Sequence, residues 1–578
     1  MSRAETKRGR DELDLARSDQ KRLLVAVGVF SVFVNALMLT GPLYMLQVYD
    51  RVLGSRSEST LIALTVLVAF LFLMMGLLDH ARGRVMARIG ARMQERLDRR
   101  VFAAALKRMS VQPGDPAALA AQRDLEAVQR LWASPVLISL FDIPWTPFFI
   151  FTIFVFHPWL GWFSVGGGVI LVALTWANQS LTKSPLNRAN AASLKAEMMS
   201  DAIKQEAEAV QALGMTTAAF DRWQKARAMA LGQGIKAADL AGAFGSFSKT
   251  FRMFLQSAML GLGAWLVLKG ELSAGAMVAG SILLGRALAP IEQSIGQWSV
   301  VTRAQEGRLR LEELLTRVQP EPERTALPRP KAVLEAQNLT VIPPGETMAV
   351  LRMVNFRLEP GQALGVIGPS GAGKSTLARA LIGAWKPAGG KVRLDGATLD
   401  QYDPDVLGSY VGYLPQRITL FDGTIAENIA RLQGNPDSVK VVEAAQRAAA
   451  HEMIIKLPEG YDTRLAALGG RLSGGQIQRI GLARALYGDP VMLILDEPNS
   501  NLDNEGSMAL NLAIRSMKDA GRVVLIMAHR PAAIQECDLL MVLEEGTRRA
   551  FGPRDQVLRE MVKNHTEIVR SSGPGGVT

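Results

Sequence analysis

Apolar and polar positions fall in long alternating blocks through the first half of the chain. Leu23 to Val48 carries no charged side chain, and neither does Ser59 to Leu78. Helices of about 20 apolar residues cross a bilayer, so both blocks predict spans. Buried helices of soluble proteins rarely run this far without a charge. After Leu78 a stretch rich in arginine (Arg82, Arg84, Arg88, Arg92, Arg96, Arg99, Arg100) keeps Ala, Leu and Val at helical spacing, which predicts a helix running out of the membrane. From Leu131 to Leu181 the chain is apolar again, broken by Asp142 and by "HPWLGW" at His157 to Trp162. Pro and Gly there predict a tight turn between two spans, with Trp at the interface. Lys183 to Lys249 is polar with a helical period, and a shorter apolar pair follows, Met253 to Leu268 and Leu272 to Leu284, joined by "KGE". The pattern predicts six spans with both termini on one side.

Charge orients that pattern. The segments assigned outside carry only Arg51, Arg56 and Lys269, whereas those assigned inside hold most of the Lys and Arg, as the positive-inside rule requires. The excess of 65 basic over 54 acidic residues is explained by this placement, and nucleic acid is not an expected partner. Residues 1–22 contain seven Arg or Lys, but the apolar run after them is too long for a secretory signal and predicts a retained membrane anchor. "YDRVLGSRSESTL", Tyr49 to Leu61, becomes the first outer turn, with Asp50, Arg51, Arg56 and Glu58 hydrated between two spans. Cys537 is the only cysteine, which excludes a disulfide framework, a cysteine-based zinc cluster and an upstream cysteine-peptidase module.

A helix ending near Leu315 gives way to "VQPEPERTALPRPK", a charged, Pro-rich linker. Beyond it short β-rich runs alternate with helical ones, as in an α/β domain. The expected organisation is a cytoplasmic segment over 1–20, a membrane domain over 21–317, a linker over 318–332, an α/β domain over 333–562 and a flexible tail over 563–578.

The second half carries the chemistry. "GVIGPSGAGKST" follows a strand-like run, Ala363 to Ile367, and fits a phosphate-binding loop made by Gly368, Pro369, Ser370, Gly371, Ala372, Gly373, Lys374, Ser375 and Thr376. Its glycines let backbone N–H groups close around phosphates, Lys374 reaches the outer phosphates, and Ser375 is placed to ligate Mg2+ at a helix N-terminus. Downstream, "VMLILDEP" is an apolar strand ending in Asp496 and Glu497. The first carboxylate suits Mg2+, and the second can polarise an attacking water.

"RLSGGQIQR", Arg471 to Arg479, decides the kind of P-loop protein. Here the chain resembles the ABC transporter ATPases, whose signature LSGGQ stands complete at Leu472 to Gln476. The implied architecture is a six-helix ABC exporter transmembrane domain followed by an α/β P-loop ABC ATPase domain, using ATP and Mg2+. The resemblance implies that Ser473, Gly474, Gly475 and Gln476 of one chain cap the γ-phosphate held by a second, so the working unit is a homodimer. Gln416 in "YLPQ" resembles the family residue that contacts Mg2+ and water. Asp503 in "SNLD" matches the dimer seam, and His529 in "IMAHR" the histidine that senses γ-phosphate. Glu497 after Asp496 implies an active hydrolase.

Two departures stand out. The family stacks adenine on an aromatic upstream of the P-loop, but this chain offers Ile342 or Pro343. The segment before the signature, "RLAALGGR", has no Glu, although the family carries an acidic coupling residue there.

"YDRVLGSRSESTL", "FDIPWTPFF" (Phe141 to Phe149), "VQALGM" (Val210 to Met215) and "SAGAMVAGSILLGRALAPIEQ" (Ser273 to Gln293) resemble the permease/ATPases of bacterial type I secretion that export proteases and lipases, over Lys21 to Arg559. The resemblance implies an inner-membrane protein that moves an unfolded polypeptide with an uncleaved C-terminal signal. A periplasmic membrane-fusion adaptor and an outer-membrane tunnel protein are the implied partners, with membrane lipids around the spans. A lipid or drug flippase is the alternative within the class, and an ATP-gated regulator or channel the alternative outside it. Asp142 and Arg286 are charges in apolar surroundings, and both are expected to line the transport path or to pair near it.

Overall fold

The computed structural model describes residues 5–18, 20–112, 114–320, 324–465, 472–499, 504–528 and 534–560. The described chain divides near Pro320 into two compact units.

The first unit is helical. Among the described residues six of its helical segments are long and apolar enough to cross a membrane: Lys21–Ser55, Glu58–Val111, Pro135–Phe156, Pro158–Gln205, Thr216–Leu268 and Ala274–Ser294. Four run as two hairpins. Glu58–Val111 follows Lys21–Ser55 through Arg56, whose left-handed backbone (φ 51°) reverses the chain. Pro158–Gln205 follows Pro135–Phe156 at His157, an extended residue whose Nδ1 accepts the amide of Trp159 and so caps the next helix. The first member of the pair expected to be shortest is lengthened by the polar block before it, because Lys183 to Lys249 continues the helices on either side, through Gln205 and from Thr216.

Charge in this unit is less exposed than its pattern suggests. Arg82 is 3% exposed instead of belonging to a solvated helix face. Its guanidinium donates to Asp142 at 2.6 Å, to Asp79 at 2.7 Å and to Ser31 at 3.1 Å. Asn35 donates to the same Asp142 oxygen at 2.7 Å. Asp142 is thus paired with Arg82 and not with Arg286. Asp50 also does more than keep a turn wet. It accepts from the Ser273 hydroxyl at 2.6 Å and the Gly275 amide at 2.8 Å, capping the start of the last span from the first hairpin.

Among the described residues the second unit has twelve strands. β1 (Leu334–Val341), β2 (Leu351–Leu358), β4 (Gly389–Leu394) and β5 (Ala397–Thr398) form a sheet in the order β2-β1-β4-β5. β3 (Ala363–Ile367), β6 (Val411–Leu414), β9 (Met492–Asp496), β10 (Val523–Met527), β11 (Leu539–Glu544) and β12 (Thr547–Pro553) form a second, ordered β12-β11-β3-β10-β9-β6. β7 (Gly423–Thr424) and β8 (Arg464–Leu465) make a short ribbon. "MLILD" and "VVLIM" are buried at every position, as central parallel strands covered on both faces should be. The two faces of this sheet feed two apolar clusters, one including Leu493, Leu495 and Ile526, the other Leu364, Ile494 and Leu525.

Candidate functional site

Strand register sets the site. Met527 in β10 pairs with Val366 of β3 on one side and with Asp496 of β9 on the other. The loop after β3 and the carboxylates ending β9 therefore emerge at one level from the carboxyl edge of the sheet, about 10 Å apart at two strand spacings. Crevices at that edge are where open α/β sheets take ligands.

The loop is shaped by its glycines. Gly371 (φ 81°) and Gly373 (φ 97°) occupy backbone conformations that disfavour a side chain. A Cβ on Gly373 would also lie 2.7 Å from Leu351, so the β1–β2 turn abuts the loop. Ile342 and Pro343 open that turn, Ile342 exposed and Pro343 buried. The helix Lys374–Leu381 starts directly after Gly373 and aims its first amides into the loop. Lys374 curls back over it, donating to the carbonyls of Gly368 at 2.8 Å and Pro369 at 3.0 Å. Burial pulls the Lys374 ammonium below its ordinary value, opposed by Glu497 and Asp496.

Asp496 is 3% exposed. Burial pushes its carboxyl above the ordinary range; the Ser375 hydroxyl bonded to it pulls down, and neighbouring Glu497 pushes up. One of its oxygens, Oδ1, is buried with no hydrogen-bond partner. An orphaned carboxylate oxygen beside a serine hydroxyl is a donor set that suits a hard, oxygen-preferring dication. Glu497 adopts a left-handed backbone (φ 54°), held by its amide donating to Met527 O at 3.0 Å. Its side chain accepts from Gln416 Nε2 at 3.0 Å, which brings in the residue two places beyond β6.

Ser473 caps the helix Gly474–Leu486 in a reciprocal box: its hydroxyl accepts the Gln476 amide at 3.3 Å, and Gln476 Oε1 accepts the Ser473 amide at 2.9 Å. That leaves a second glycine-lined helix N-terminus with anion-binding character. Sequence reasoning passed over Gln478. It is 3% exposed and donates to the carbonyl of Pro498, tying the signature helix to the segment just after Glu497. Its position two residues past the LSGGQ motif was the available signal. Asp503, His529 and the segment 466–471, with its missing Glu, lie outside the described residues. β10, which His529 follows closely, lies between β3 and β9.

The ABC transporter family matches residues 351–500, and the ABC transporter transmembrane region matches residues 24–288. A solved bacterial Atm1-family ABC exporter with ATP bound shares the fold, with a TM-score of 0.80 at 21% identity, over 96% of this chain and 99% of that one. Fold and site define a multi-pass ABC exporter whose ATP-binding domain couples ATP hydrolysis to transport. Within that class, a type I secretion system ATP-binding protein, PrsD, of Rhizobium meliloti is 43% identical over 95% of this chain and 94% of its own length. The alpha-hemolysin translocation ATP-binding protein of Escherichia coli is 29% identical over 93% of this chain and 77% of its own. The chain belongs to the ATP-binding permeases of type I secretion.

Proposed function

We propose that two copies of this chain, in the bacterial inner membrane, export an unfolded polypeptide bearing an uncleaved C-terminal signal, delivering it to a periplasmic adaptor and an outer-membrane tunnel. The observation that carries this reading is the near full-length likeness to a type I secretion protein. Lys374 and the loop Gly368 to Thr376 hold the phosphates of ATP, with Ile342 or Pro343 against the base. Ser375, Asp496 and Gln416 hold Mg2+, which when bound neutralises phosphate charge. Glu497, steadied by Gln416, takes the proton of the attacking water, and His529 senses the γ-phosphate. Ser473, Gly474, Gly475 and Gln476 close on the nucleotide of the other copy, with Asp503 at the seam.

The test is ATPase activity of the purified protein in lipid bilayers. Peptides from the C-termini of candidate exported proteins should change the rate, and amphipathic drugs and extra lipid should not. Stimulation by lipid or drug alone would replace this reading with a flippase.

A further inference from the structure

A cavity of about 710 Å3 opens between the helices Thr216–Leu268 and Ala274–Gly296. Volumes of this order hold sizeable ligands. Its walls are polar, although part of them, Arg286 included, belongs to a candidate span. Lys249, Arg252 and Gln256 follow one another on one helix at spacings that share a face. Arg286, Ala289, Glu292 and Gln293 do the same on the other, and Gln297 lies in the turn directly after it.

The charges do not cancel. Arg252 is paired with Glu292. Lys249 and Arg286 have no ion-pair or hydrogen-bond partner among the described residues. A cation inside a span, as Arg286 is, is costly and persists where a cavity or counter-charge receives it. Arg286 lies about 18 Å along its helix from Ala274 at about 1.5 Å per residue, well inside the candidate span.

The amides have free valences of a different kind. Gln293 Oε1 accepts from Ser139 at 2.5 Å, so its Nε2 is left to donate. Gln256 sits against Gly285, where a Cβ would lie 3.5 Å from its amide nitrogen, and the missing side chain keeps the cleft open. Amides beside cations, strung over about 16 Å of helix from Gly245 to Gln256, match about five residues of extended chain. A lipid headgroup would need its charge gathered at one point beside an apolar groove.

We propose that this cavity grips acidic stretches of the polypeptide cargo: Lys249 and Arg286 take side-chain or terminal carboxylates, and Gln256, Gln293 and Gln297 hold the backbone. The assignment rests on the polypeptide-export reading and adds a charge preference to it.

The test uses the full chain in phosphatidylcholine nanodiscs and fluorescent peptides of Gly and Ser carrying Asp, Asn or Lys at the same positions. The Asp peptide should bind about tenfold more tightly than the Asn peptide at low salt and lose that advantage as salt screens the charges. Lys249→Gln with Arg286→Gln should remove the preference. Lys249→Glu with Arg286→Glu should transfer it to the Lys peptide, a gain that a misfolded protein cannot show. Equal binding of the Asp and Asn peptides would overturn the charge assignment and leave polypeptide export standing. Binding of no peptide would overturn both. Loss of Asp-peptide binding on adding phosphatidylglycerol, with the Gln variants insensitive to that lipid, would reassign the cavity to an anionic headgroup.

Discussion

Glu497 shows how a single position is prepared for its work. Its left-handed backbone costs about 1–2 kcal/mol for a residue with a Cβ. In return the carboxylate turns from the buried strand end toward Gln416, while Asp496 stays under cover. Glu497→Gln keeps that geometry and removes the proposed base. ATP hydrolysis should fall by about two orders of magnitude or more with nucleotide affinity retained, as single-turnover rates and nucleotide titration would record. Near-normal hydrolysis would assign the proton to another group. Cys537 is prepared for nothing chemical. It is buried, and burial pushes its thiol up to about 12, with Asp538 adding to the effect. The folded protein should resist maleimide from neutral pH to mildly alkaline pH, since the reactive thiolate stays scarce, and should label at once in denaturant. Fast labelling of the folded chain would show that this end of the sheet opens. The phosphate loop was legible because its chemistry is contiguous: glycines, lysine and hydroxyls follow one another. The Gln416–Glu497 bond was less so, because its partners stand 81 positions apart.

At the scale of elements, the helices of the membrane unit are joined by polar contacts that no local pattern announces. Asp142 stood out as a charge in apolar surroundings, but its partner Arg82 lies 60 positions away in a run of arginines that looks uniformly solvated. Periodicity fixed which residues are helical, and tertiary packing selected one arginine from seven to bury. Removing Arg82 leaves the Asp142 carboxylate without its cation, and removing Asp142 leaves the buried Arg82 with the exposed Asp79 as its one remaining ion-pair partner among the described residues. Arg82→Met or Asp142→Leu alone should cost about 3–5 kcal/mol, and the double replacement should recover much of it. Thermal unfolding in detergent would show this as non-additive losses; a double variant whose loss equals the sum of the two single losses would mean that the pair contributes nothing jointly. The first outer turn repeats the lesson at lower stakes. Asp50→Ala removes a cap supplied from another hairpin and should cost about 1 kcal/mol, with Asp50→Asn losing less. A neutral Ala variant would show that Ser273 caps its helix unaided, since its hydroxyl already accepts the Ala276 amide.

One chain presents one phosphate loop and one signature helix, and the proposed pairing of two copies makes a prediction about how they share them. The loop and its carboxylates are gathered at the edge of a single sheet by strand register, whereas the signature's Ser473 is engaged in capping its own helix. If the signature of each copy serves the loop of the other, damage placed in different copies behaves differently from damage placed in one. Take a Lys374→Ala chain and a Ser473→Arg chain, each inactive as a pair with itself. A mixed pair places both lesions in one composite site and leaves the other intact, so co-expressed, doubly tagged pairs should regain ATPase activity. Were each chain to complete its own site, every copy in the mixed pair would be damaged and no activity would return. Recovery would also establish that one working site can run alone, and peptide-stimulated activity in the same mixed pairs would then show whether a single hydrolysis event suffices to move cargo.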